Sequence, residues 1–137
     1  MIATTKKLPC FTYAAELVKV IDGDTIDVLV DLGFHVKREI RIRLLGINTP
    51  EMKGDTKQAG QDARNATEDW LLNHDNLVIS TWKVQKRMVD HFGRYLAIVR
   101  GDSPKGSQNC LNTYLVDRKL AARYMDEGLP QDFDIPE

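Results

Sequence analysis

Between residues 11 and 45 the chain is rich in β-branched residues and is broken only at Asp22-Gly23-Asp24 and at Leu32-Gly33-Phe34. Both breaks are turn-forming, so residues 11–21, 25–30 and 36–45 read as three strands folded into an antiparallel meander. In the third, Ile40, Ile42 and Leu44 alternate with Arg41 and Arg43. That period of two puts both arginines on the face opposite the isoleucines. Thr49-Pro50-Glu51 is expected to end this strand, because proline has no N–H for a ladder and restricts the residue before it.

After a polar loop, residues 57–73 read as a helix with Ala59, Ala63, Ala66, Trp70 and Leu71 forming one apolar stripe. Residues 77–82 and 95–99 read as two further strands, and 111–117 as a short helix. The resulting fold class is mainly β with helices. It is a five-stranded OB-type barrel with one helix between strands 3 and 4 and a short C-terminal helix, a plan that binds oligonucleotides on one face. The expected boundaries are a flexible arm at 1–10, the barrel domain at 11–125, and an acidic, poorly ordered tail at 126–137.

The length of 137 residues suits one domain whose core folds without metals or disulfides, so a bound metal would serve chemistry. No apolar run reaches the roughly 20 residues that span a bilayer. Lys6 and Lys7 precede no apolar stretch, so the expectation is a soluble protein without a secretory signal. Cys10 and Cys110 match no metal or redox spacing; they read as reduced thiols or small core residues, with a disulfide as the alternative. The net charge of −1 argues against a polyanion partner until its distribution is considered. Asp126, Glu127, Asp132, Asp134 and Glu137 carry five negative charges, which leaves +4 on residues 1–125. The acidic end reads as a solvated tail or as a competitor for a cationic groove.

The chemically informative residues lie where strands end. Asp22 and Asp24 occupy the first turn, Arg43 and Asn48 the end of the third strand, Glu51 follows Pro50, and Arg94 enters the fifth strand. Strand reversal brings the first turn and the end of the third strand to one rim. Oxygen donors gathered there suit a hard cation such as calcium. Phosphodiester hydrolysis needs a metal against the phosphate charge, a carboxylate acting on water, and fixed cations for the transition state. Each residue also has an ordinary reading, as a turn former or a solvated side chain.

The stretches Val20-Ile21-Asp22-Gly23-Asp24-Thr25, Arg43-Leu44-Leu45-Gly46-Ile47-Asn48-Thr49-Pro50-Glu51 and Asp90-His91-Phe92-Gly93-Arg94 together resemble the thermonuclease, or staphylococcal nuclease-like, family. The resemblance spans roughly residues 11–125 and implies an OB-fold nuclease that uses Ca2+ to cleave DNA and RNA, leaving 3′-phosphate ends. Carried over position by position, it implies Asp24, Asn48 and the Thr49 carbonyl as calcium ligands. Asp22 is implied as an acidic neighbour, Glu51 as the general base, and Arg43 and Arg94 as the pair that grips the phosphate.

Two departures accompany the resemblance. Asn48 stands where well-known members have aspartate, so calcium binding is expected to be weaker by one ligand charge. The chain also ends soon after the short helix, where larger members carry a long terminal helix; lower stability or self-association is the expected consequence. The loop after Glu51 is compact, which bears on how substrate is held. Lys83, Lys86, Arg87 and His91 are expected to form a basic lip near the site, in balance with a plain solvated loop. Tyr124 is expected either to stack on a nucleobase or simply to pack. The alternative to an active nuclease is a catalytically weak or inactive OB-fold module that binds nucleic acid or protein.

Overall fold

The computed structural model describes residues 11–81, 94–103 and 109–124. Five strands close into a barrel: β1 (Phe11–Asp22), β2 (Thr25–Asp31), β3 (Lys37–Leu44), β5 (Asp75–Thr81) and β6 (Tyr95–Asp102), in the order β1-β2-β3-β6-β5. Two-residue strands β4 (Ile47–Asn48) and β7 (Ala122–Arg123) form a small separate ladder. Helix α1 (Lys57–Leu72) lies between β3 and β5, and α2 (Leu111–Asp117) follows β6. The OB-type barrel expected from the strand pattern is the observed architecture.

Closure depends on β1 serving two neighbours. Phe11 to Ala14 pair with β5, while Ala15 to Asp22 pair with β2. Register shifts between Leu17 and Lys19 and between Val20 and Asp22 give β1 the bend this requires, since bulges kink a strand and increase its twist. The last seam is parallel, Ile42 to Leu44 against Tyr95 to Ala97. Asn112, fully buried, braces it: Oδ1 accepts from the Val99 amide at 3.0 Å and Nδ2 donates to the Leu45 carbonyl at 2.9 Å. Pairing both ends of this amide with backbone removes the cost of burying it.

The barrel interior is filled by Ile26, Val28, Ile42, Leu44, Ile79 and Ile98, all essentially inaccessible to solvent. α1 adds Trp70 and Leu71 to this core. His74, just beyond the helix, stacks on Trp70 at a centroid separation of 3.8 Å and contacts the Trp70 carbonyl through Nδ1 at 2.7 Å. Among the described residues, no helix is long and apolar enough to cross a membrane.

Several expected boundaries move. β3 ends at Leu44 instead of continuing to Leu45 and the Thr49-Pro50 corner. Gly46 sits at φ 80°, where the backbone turns and starts β4. The fifth barrel strand runs on to Asp102, past the expected end at residue 99, because its outer half pairs with β5. On α1 the buried positions are Gly60, Ala63, Thr67, Trp70 and Leu71, whereas Ala59 is exposed. Ala63, Trp70 and Leu71 are buried as expected, while Gly60 and Thr67 take the places expected of Ala59 and Ala66, because the helix start packs on the Glu51 backbone. The arm 1–10, with Cys10, and the tail 126–137 lie outside the described residues; Cys110 is a buried free thiol.

Candidate active site

The rim is assembled by backbone bonds before any charged side chain is considered. The Leu44 amide donates to the Asp24 carbonyl at 2.8 Å, which ties the first turn to the end of β3. α1 holds the same turn from behind. The Thr67 hydroxyl donates to the Gly23 carbonyl at 2.7 Å, and a Cβ on Gly23 would meet the Ala63 Cβ at 2.8 Å. Thr56, the residue just ahead of α1, holds the Glu51 segment as well, its hydroxyl donating to the Glu51 carbonyl at 2.7 Å.

On this frame Asp22, Asp24, Arg43, Asn48, Thr49, Glu51, Arg94 and Tyr124 all line one open cleft of about 730 Å³. The expectation that these side chains share one mouth therefore matches the geometry. Lys83, Lys86, Arg87 and His91, the expected basic lip, lie outside the described residues.

Asp24 is buried, and both of its oxygens are engaged. Oδ1 accepts from the Thr25 hydroxyl at 3.1 Å and Oδ2 from the Thr49 amide at 3.1 Å. Arg94 donates from Nη1 to the Thr25 hydroxyl at 3.2 Å, so Thr25 links Arg94 to Asp24. The Arg43 guanidinium lies flat against the turn after β3. Its Nη1 donates to the carbonyls of Leu44 and Ile47 at 2.9 and 2.8 Å. Its Nη2 donates to Asn48 Oδ1 at 3.1 Å and stands 3.5 Å from Asp24 Oδ2. These bonds fix the plane of the guanidinium and engage both of its amino groups.

Glu51 sits at the exposed edge, with Lys53 Nζ 4.0 Å from its carboxylate. Its backbone is held by the Thr56 hydroxyl, while its side chain has only this long, exposed ion pair among the described residues. Burial, and next the neighbouring Asp24 charge, hold the Asp22 carboxyl above the ordinary aspartate range against the pull of Arg94 and Arg43; Glu51 adds to the rise.

The groups that would hold a metal in this cleft are all oxygens: Asp24, Asn48, the Thr49 carbonyl and, beside them, Asp22. Asn48 Oδ1 and Asp24 Oδ2 converge on one cationic group, Nη2 of Arg43, which shows that the two oxygens can meet a single positive charge. A hard, oxygen-seeking ion such as calcium fits this set. Among the described residues, no three His, Cys, Asp or Glu side chains cluster closely enough to hold a metal by themselves, so an amide and the backbone must complete such a site.

Nothing in the sequence pattern alone distinguishes Thr25, Thr56 and Thr67 from ordinary turn and helix residues. Their hydroxyls reach partners that only the fold brings near, and Thr25 alone sits inside a recognisable motif.

The Staphylococcal nuclease homologue family profile matches residues 41–133. The chain is 31% identical to a micrococcal nuclease of Shigella flexneri over 124 residues, which cover 88% of this chain and 63% of that protein. It is 32% identical to Protein ParB of Escherichia coli over 122 residues, 85% of this chain and 60% of that one. An uncharacterized protein of Methanocaldococcus jannaschii is 32% identical over 107 residues, 64% of this chain and 48% of its own length. The chain thus spans less than two thirds of the length of these curated relatives.

Proposed function

The chain belongs to the Staphylococcal nuclease homologue family, and from that premise we propose that it is a calcium-dependent nuclease hydrolysing phosphodiester bonds of DNA, RNA or both. The observation that carries the reading is one cleft lined by Arg43 and Arg94 together with the carboxylates of Asp22, Asp24 and Glu51.

The roles follow from placement. Arg43 and Arg94 receive the scissile phosphate and stabilise the extra negative charge of the transition state, Arg43 in a plane set by the Leu44 and Ile47 carbonyls. Glu51, with an exposed carboxylate at the rim, accepts a proton from the attacking water. Asp24, Asn48 and the Thr49 carbonyl hold the calcium, which when bound offsets phosphate charge and helps position water. Asp22 adds negative potential beside them. Tyr124 is placed at the cleft by its amide bond to the Gly46 carbonyl at 2.9 Å and is half-exposed, as a side chain that stacks on a base must be.

Asn48 favours a second reading, a weak or inactive binding module on the same barrel, because an amide brings no charge to the metal. One experiment separates them: digestion of single-stranded DNA, duplex DNA and RNA with calcium or with EDTA, alongside Glu51→Ala and Arg43→Ala. A nuclease loses activity in EDTA and drops about a hundredfold or more in each variant. Wild-type cleavage no faster than the variants leaves only the binding module.

A further inference from the structure

Arg41 is held more firmly than a solvated surface residue needs to be. It precedes Arg43 by two residues on β3, faces the same way, and lines the same cleft. Asp27, its partner across the β2–β3 ladder, grips the guanidinium with both oxygens: Nε donates to Oδ1 at 2.7 Å and Nη2 to Oδ2 at 3.1 Å. The pair is lopsided, with 11% of the Asp27 side chain exposed and 51% of the Arg41 side chain. The carboxylate is the anchor and the cation is the part offered to solvent. A guanidinium bound through Nε and one amino group keeps its other amino group for a second anion. Lys19 stands opposite Asp27 on β1, so the row across three strands reads cation, anion, cation.

Two residues along a strand span roughly 6.6 Å, the scale of one step along an extended nucleic-acid backbone. A simple cross-strand ion pair at the surface gains little and has no need of a place in the cleft wall. We propose that Arg41 binds the phosphate next to the scissile one, with Asp27 as the positioning residue that fixes its fork. The inference rests on the nuclease reading of the cleft and adds a subsite to it. The chain then prefers substrates with more than one phosphate, and it reads them along the outer face of β3.

The test compares wild type, Arg41→Gln, Arg41→Lys and Asp27→Asn on two substrates, a dinucleoside monophosphate and a longer single-stranded oligodeoxynucleotide. For Arg41→Gln, KM on the longer substrate rises about tenfold, as for one lost charge-assisted contact, while kcat and both constants on the dinucleotide stay within about twofold. Arg41→Lys recovers part of the loss. Asp27→Asn raises KM on the longer substrate alone; a fall there would remove the positioning role. Equal changes on both substrates, or none, would overturn the subsite. Anisotropy titration of the labelled oligonucleotide across salt provides the independent arm, with the log-log slope shrinking by about 0.7 in Arg41→Gln. A wild type that binds with this slope change but never cleaves overturns the nuclease reading and keeps the subsite. A wild type that cleaves while Arg41→Gln alters neither KM nor slope overturns the subsite alone.

Discussion

A Cβ on Gly60 would lie 2.6 Å from both the carbonyl carbon and the carbonyl oxygen of Glu51. Helix α1 therefore touches the backbone of the proposed general base directly, and only hydrogen fits between them. Alanine in a helix interior is ordinarily favoured over glycine by roughly 0.5–1 kcal/mol. Here the obstacle is main chain, which cannot swing aside as a long side chain does, and overpacking costs about 1–3 kcal/mol. Gly60→Ala should lower stability by about 1–2 kcal/mol in urea unfolding and cut kcat about ten- to a hundredfold as Glu51 shifts. A variant that is more stable and fully active would contradict the contact.

Asn48 gives the second prediction. Its Oδ1 already faces Asp24 across the Arg43 amino group, so aspartate there adds charge without a new geometry. Asn48→Asp should tighten calcium binding about tenfold, read by calorimetric titration. Unchanged affinity would place the metal elsewhere.

Thr67 tests the support of the first turn. Its hydroxyl supplies a donor to the Gly23 carbonyl in a fully buried position. Thr67→Val keeps the shape and leaves that carbonyl unpaired, at a cost of about 1–3 kcal/mol. Thr67→Ser should recover most of it. Equal stability of the valine and serine variants would mean that the bond carries no weight.

Asp27 sets a pH dependence. The hydrogen bonds from Arg41 hold its carboxyl below the ordinary aspartate range, so folding favours the ionised form. That contribution is complete above the unfolded value, about 3.9, and is lost as pH falls through the lower folded value. Asp27→Asn should therefore melt a few degrees below wild type at neutral pH, with the gap closing below about pH 4. Melting curves with a gap of constant size across that range would refute the assignment.

Much of the barrel was legible because alternation and turn chemistry are local. Ile40, Ile42 and Leu44 faced inward against Arg41 and Arg43, and Asp22-Gly23-Asp24 turned as expected. What failed was decided by long-range partners. Leu45 looks like a strand residue, yet its amide bonds the Ala97 carbonyl while Gly46 breaks the run. Ala59 looks like a core residue, yet Gly60 is buried because Glu51 leaves no room for a side chain. In the cleft the ionisable residues could be named from motifs, whereas the Thr25 link and the Asp27–Arg41 pair depend on distances that no spacing encodes.

The parallel seam between β3 and β6 joins only three residue pairs, and the two flanking arginines rise from opposite sides of it, Arg43 on β3 and Arg94 just ahead of β6. The buried crossbar of Asn112, bonded to the Val99 amide and to the Leu45 carbonyl, therefore ties together the two segments that carry these arginines.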